Sequence, residues 1–200
     1  QVSLAMFVSP VTDFLQTDTS LIIMGSLSLV FIIVYIVILC AKGLRRSFPI
    51  NIILAMVLAF SLGYLVATLA SLYTVDSIFL CVALLIVSCG SIALFSMQVK
   101  FDMRMCYGVI ILLMIYLFWI SMMSWMYLVF WYNAYYLNLV YAVVACTLFM
   151  IYLAIDIQMI MGGGRFAISP EEYVFAAVQI FIDVVYIFMY LLQIFGRLKN

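Results

Sequence analysis

An all-helical integral membrane protein, a bundle of seven transmembrane helices with the first truncated in this chain, is the fold this sequence predicts, as one domain over residues 1–200. Three observations carry that expectation. Hydrophobic residues make up 70% of the chain and charged residues 8%, with a mean hydropathy of +1.38, outside the range of a soluble domain of this length. Apolar runs of about 20 residues recur between short polar turns, the length that crosses a hydrocarbon core. No segment alternates with period two, so a barrel is disfavoured, and lipid otherwise admits only helices because it offers unpaired main-chain groups no partner.

Gln1 to Val8 reads as the remaining half of a first span, since no basic stretch precedes it as in a signal peptide. A polar turn with Pro10, Asp13 and Asp18 follows. Complete spans are then expected at Leu21–Ala41, Ile50–Leu72, Ser77–Ser96, Cys106–Phe130, Tyr136–Met161 and Tyr173–Ile194. Basic residues sort the connections: Lys42, Arg45 and Arg46 follow the second helix, Lys100 and Arg104 the fourth, and Arg165 the sixth. The alternate loops, with Asp13, Asp18, Asp76 or only Asn133, carry no base, which places the basic loops in the cytosol. Seven spans leave Arg197 and Lys199 on the other side. Either that pair is too weak to set orientation, or the last helix dips in and returns; both alternatives stand at this point.

Lys and Arg total 8, as do Asp and Glu, so no excess charge calls for nucleic acid. Histidine is absent, which removes the commonest metal ligand and catalytic base. Cys40, Cys81, Cys89, Cys106 and Cys146 are scattered singly and read as small apolar packing residues. Gly162, Gly163 and Gly164 are followed by no GK[ST], so they read as a helix C-cap and turn. Tyrosines and tryptophans such as Trp125 and Trp131 mark interfacial belts.

Residues 167–188 read AISPEEYVFAAVQIFIDVVYIF. Ser169 is a good N-cap, Pro170 suits the first helical position, and Glu172 completes a capping box, with Glu171 and Glu172 favoured by the helix dipole. At 1.5 Å per residue, Asp183 lies about 17 Å beyond Glu172, near the bilayer midplane. Ala176, Gln179, Tyr186 and Tyr190 share its face. The sixth span has a matching stripe in Asn138, Tyr141, Ala145, Tyr152 and Asp156, the last about 9 Å inside the cytosolic end. A charged aspartate at such depth costs about 3 kcal/mol or more, and no Lys or Arg lies within a span to offset it, so an ion pathway is favoured over a purely structural role. A third stripe, Tyr64, Thr68 and Ser71, reads more simply as helix-packing glue than as ion contacts.

With these residues in view, the chain resembles the Bax-inhibitor-motif membrane proteins, in particular their Lifeguard branch. The resemblance rests on YLAIDIQMIMGGGRFAISPEEYVFAAVQIFIDVVYIFMYLLQIFGR, supported by FSMQVKFDMRMCYGV and RRSFPINIILAMVLAFSLGYLVATLASLYTVD. It implies a seven-helix protein of the Golgi, the endoplasmic reticulum or other membranes, including the plasma membrane. The implied activity is a pH-dependent calcium leak that protects from apoptosis, through a proton shared by Asp156 and Asp183, which would also meet the calcium ion. It further implies a basic latch, for which Arg45 and Arg46 are the candidates, with Asp156 as the expected partner. The implied partners are the bilayer, calcium and apoptosis-regulating membrane proteins; no cofactor and no enzymatic activity are expected. A non-transporting scaffold is the main alternative. Intramembrane aspartyl proteolysis is less favoured, since Ile180, Phe181 and Ile182 stand before Asp183 in place of Gly-x-Gly. A retinal protein is excluded in practice by the lack of a lysine in the last span.

Overall fold

The computed structural model describes residues 18–98, 135–161 and 172–198, with a few positions between 108 and 120. Among them the chain is helical throughout, with no named strand. The elements are α1 (Asp18–Cys40), α2 (Lys42–Arg46), α3 (Ile50–Ser71), α4 (Val75–Gln98), α5 (Tyr135–Met161) and α6 (Tyr173–Phe195). All but α2 are long and apolar enough to cross a membrane, so the chain is an integral, multi-pass membrane protein. The five long helices match expected spans to within three residues at either end. The predicted Cys106–Phe130 span is described only at scattered positions, all helical. The Gln1–Val8 segment, Cys106, the triple glycine, Arg165, Trp125 and Trp131, and the Ser169, Pro170 and Glu171 part of the cap lie outside the described residues. One element was not foreseen: the basic stretch after α1, expected as a loop, coils into the single turn of α2.

The chain divides into two compact units. The first comprises residues 1–75, 170–178 and 197–200. In it α1 packs on α3, with Ile38, Leu58 and Leu62 fully buried. In lipid such contacts stabilise through close packing, since lipid tails are as apolar as leucine. Ser61 and Thr68 of α3 are buried as well, and their hydroxyls donate to Val57 O at 2.6 Å and Tyr64 O at 2.9 Å. Ser71 Oγ likewise donates to Thr68 O at 2.7 Å. The stripe read as packing glue thus turns hydroxyls back onto its own helix, the habit of Ser and Thr in apolar surroundings.

This unit also holds the two ends of α6. Before its first turn, Glu172 pairs with Arg46; after its last, Thr74 N–H donates to Arg197 O at 2.9 Å, and Tyr73 and Leu198 form an antiparallel bridge. The two ends of α6 therefore meet opposite ends of α3. A helix that dipped in and returned would bring both ends to one side, so the crossing alternative is the one the structure adopts.

The second unit comprises residues 76–169 and 179–196. Half of the apolar window of α5 is buried against 6% for α4, so α5 is its central helix. Leu153, Ile155, Ile187 and Leu192 are among its fully buried side chains. The contacts between α5 and α6 fall in reverse order along the two helices, Tyr141 with Tyr190 and Phe149 with Tyr186, so the helices run antiparallel.

Because α6 crosses completely, single cysteines placed at Leu72 and Leu198, with Cys40 and Cys106 made Ser, are expected to react with an impermeant maleimide from one face of sealed membranes. A cysteine at Gly43 is expected to react only from the other face. Labelling of 43 and 198 from a common side would refute this arrangement.

Candidate functional site

Two aspartates meet inside the second unit. Asp156 on α5 and Asp183 on α6 are buried, at 2% and 6% exposure, and their side chains hydrogen-bond to each other. Two carboxylates are acceptors only, so this bond requires a proton between them. Oδ2 of Asp183 is buried with no partner among the described residues. Cys89 of α4 is the further titratable group whose charge would reach Asp183.

Their depths along the helices looked unequal from the sequence, by about 8 Å. Since the side chains meet, the facing ends of α5 and α6 are staggered along the helix axes, and side-chain lean closes part of the gap. A Cα–Cβ bond leans towards the N-terminus of its own helix, so Asp156 leans away from the C-terminal end of α5 while Asp183 leans towards the N-terminal end of α6. The two side chains converge.

Beyond the carboxyls, the seam between α5 and α6 is filled by aromatic rings. Phe149 stacks on Tyr186, with centroids 4.8 Å apart and planes at 15°, and also touches Tyr190 and Tyr152. Tyr141 meets Tyr190 edge-on at 6.0 Å, with hydroxyls 3.4 Å apart. Such ring pairs add about 0.5–1.5 kcal/mol each beyond area burial. Tyr141, Tyr152, Tyr186 and Tyr190 were read as inward stripes. Phe149, which joins them, was passed over because an apolar ring on a membrane helix carries no signal of its own.

The candidate latch lies in the first unit. Nε of Arg46 donates to Oε1 of Glu172 at 2.8 Å, and Nη2 lies 2.7 Å from the same oxygen. Glu172 is 8% exposed at its side chain and Arg46 45%. Arg46, expected opposite Asp156, thus has an ion partner in the glutamate that was read as part of a cap. Arg45 belongs to α2, but its side chain lies outside the described residues. Among the described residues no group of three or more His, Cys, Asp or Glu forms a metal cluster. The four described cysteines are free, Cys81 and Cys146 buried and Cys40 exposed.

These features define a multi-pass helical membrane protein with a carboxyl pair between its last two spans. The family model described as Inhibitor of apoptosis-promoting Bax1 matches residues 2–200. The chain belongs to that family. It is 32% identical over 195 residues to Protein lifeguard 3 of Homo sapiens, covering 98% of this chain and 62% of that protein. The same figures hold for Protein lifeguard 3 of Mus musculus. The chain thus spans less than two thirds of the length of these curated relatives.

Loss of Arg46 removes an ion partner from the buried Glu172 carboxylate, whereas the half-exposed guanidinium loses little. Arg46→Gln and Glu172→Gln are therefore expected to be non-additive, with a coupling of about 1–2 kcal/mol after allowance for screening at the exposed partner. Denaturant unfolding of the two single variants and the double variant in detergent measures it, and strict additivity would rule out a working ion pair.

Proposed function

We propose that this chain forms a pH-sensitive calcium leak pathway of intracellular membranes, the Golgi or the endoplasmic reticulum, that lowers calcium stores and restrains apoptosis. The observation that supports this reading best is the hydrogen bond between the buried carboxyls of Asp156 and Asp183. Membership of a family described by inhibition of an apoptosis promoter supports the cellular role.

With one proton between them, the carboxyls join α5 to α6 and the path is closed. Removing that proton leaves two like charges a few ångströms apart, which repel and favour the separated helices. The separated pair, with its unpartnered oxygen, attracts a hard divalent cation. Calcium takes six to eight oxygens, so two carboxylates supply part of its shell and water or main-chain carbonyls the rest. A partial shell suits an ion in transit, because a complete one would hold it. The Arg46–Glu172 pair ties the start of α6 to the stretch before α3 and contributes to the closed state as a latch.

The sign of the pH effect follows from proton counting. The closed state binds one more proton than the open one, so raising pH favours opening, by at most about tenfold per pH unit for one proton. Calcium flux into proteoliposomes is therefore expected to rise with pH between about pH 6 and pH 8. Asp156→Asn and Asp183→Asn are each expected to flatten that profile. If both variants keep the parent's profile, or no flux occurs at any pH, the scaffold reading replaces the leak.

A further inference from the structure

Few side chains of α4 are buried: Ser77, Cys81 and Ser96. Two of these reach across to the helices that carry the aspartates. Cys81 Sγ donates to Leu191 O on α6 at 3.6 Å, and Ser96 Oγ donates to Ala154 O on α5 at 2.6 Å. Ser96 is 2% exposed. Ala154 lies on the turn of α5 that presents Asp156, two residues before it.

We infer that Ser96 is a positioning residue for the carboxyl pair: its hydroxyl pins the turn of α5 that carries Asp156 so that Asp156 meets Asp183. This deepens the reading above and rests on it for the transport consequence. The 2.6 Å bond is short for a hydroxyl and is shielded from water. Lipid-facing helices otherwise slide and rotate past each other at little cost, because apolar packing alone is tolerant of small shifts. A hydrogen bond from a side chain to a main-chain carbonyl is directional and fixes both slide and rotation. At 100° per residue Cys89 lies on nearly the same face of α4 as Ser96, and its charge would reach Asp183. One face of α4 thus lies along both aspartate-bearing helices. Among the described residues the titratable groups linked electrostatically to this cluster are Asp156 on α5, Asp183 on α6, Cys89 on α4 and Cys146 on α5, and through Cys146 also Tyr190 and Tyr186 on α6 and Tyr141 on α5.

Ser91, also on α4, does not share this arrangement. Ser91 Oγ donates to Ser88 O within its own helix and is exposed. Ser96 is singled out by what lies opposite it.

The test reads the shared proton directly, by the infrared band of the protonated carboxyl, assigned as the band lost in Asp183→Asn. In Ser96→Ala the carboxyls are less firmly apposed, so the band is expected to vanish at a pH lower by about half to one unit, the size of one hydrogen bond in proton-binding terms. Ser96→Cys, close in size with a weak donor, is expected to fall between Ala and the parent. Calcium flux at about pH 7 is expected to rise about threefold to tenfold in Ser96→Ala. Identical band titrations in parent, Ser96→Cys and Ser96→Ala would overturn the inference; should Ser96→Ala fail to fold, coincidence of parent and Ser96→Cys suffices. A shifted band without calcium flux in any variant would keep the positioning role and remove the leak. Flux that depends on pH with an unshifted band would do the reverse.

Discussion

A carboxyl group in the hydrocarbon region has no water to turn to, and the proton it shares with a second carboxyl is the least costly substitute the protein can supply. Asp156 and Asp183 meet in this way, although Oδ2 of Asp183 stays without a partner among the described residues, and much of the second unit is arranged about their meeting. Antiparallel α5 and α6 lean the two side chains together. Aromatic rings fill the seam on one side of the pair, and α4 donates to main-chain carbonyls on both helices.

The spans and the aspartate pair were legible in the sequence for one physical reason: lipid leaves few alternatives. An apolar run of the right length has to be a helix, which is why Ile50–Leu72 and Tyr173–Ile194 were placed almost to the residue. Asp156 and Asp183 were the carboxylates expected deep within spans, and their pairing was what the family resemblance implied. The missed features share the opposite property. Arg46 and Glu172 are 126 residues apart, both near the water interface, where many partners are available and spacing says nothing about which is chosen. The turn of α2 was missed similarly, since KGLRR has good helix formers but no apolar period. Ser91 and Ser96 are the same residue on one helix, and only the position of α5 decides that Ser96 bonds across while Ser91 bonds back.

The two units treat polar groups differently. In α3, Ser61 and Thr68 settle their hydroxyls on their own carbonyls, so the helix makes few directional demands on its neighbours. In the second unit some polar contacts join separate helices, from Ser96 to Ala154 and from Tyr141 to Tyr190, while Ser91 and Thr147 bond back onto their own helices. The Arg46–Glu172 pair supplies the first unit with a directional tie at its water-facing end.

The placement of the two aspartates on the last two spans, adjacent in the chain, also bears on how the protein is made. An aspartate at the centre of a span opposes membrane insertion by about 2.5–3.5 kcal/mol, and by less nearer an end, while each Leu, Ile, Phe or Val favours it by about 0.3–0.6 kcal/mol. The many apolar residues of α5 and α6 outweigh one carboxyl apiece, so each helix can leave the translocon alone. Once there, α5 holds a bare acid in lipid until α6 follows. The short connection between them keeps that interval brief, and the pair enters most readily as a helical hairpin. The order in which the ribosome delivers the spans, and not only the finished bundle, determines how long an unpartnered acid faces the bilayer.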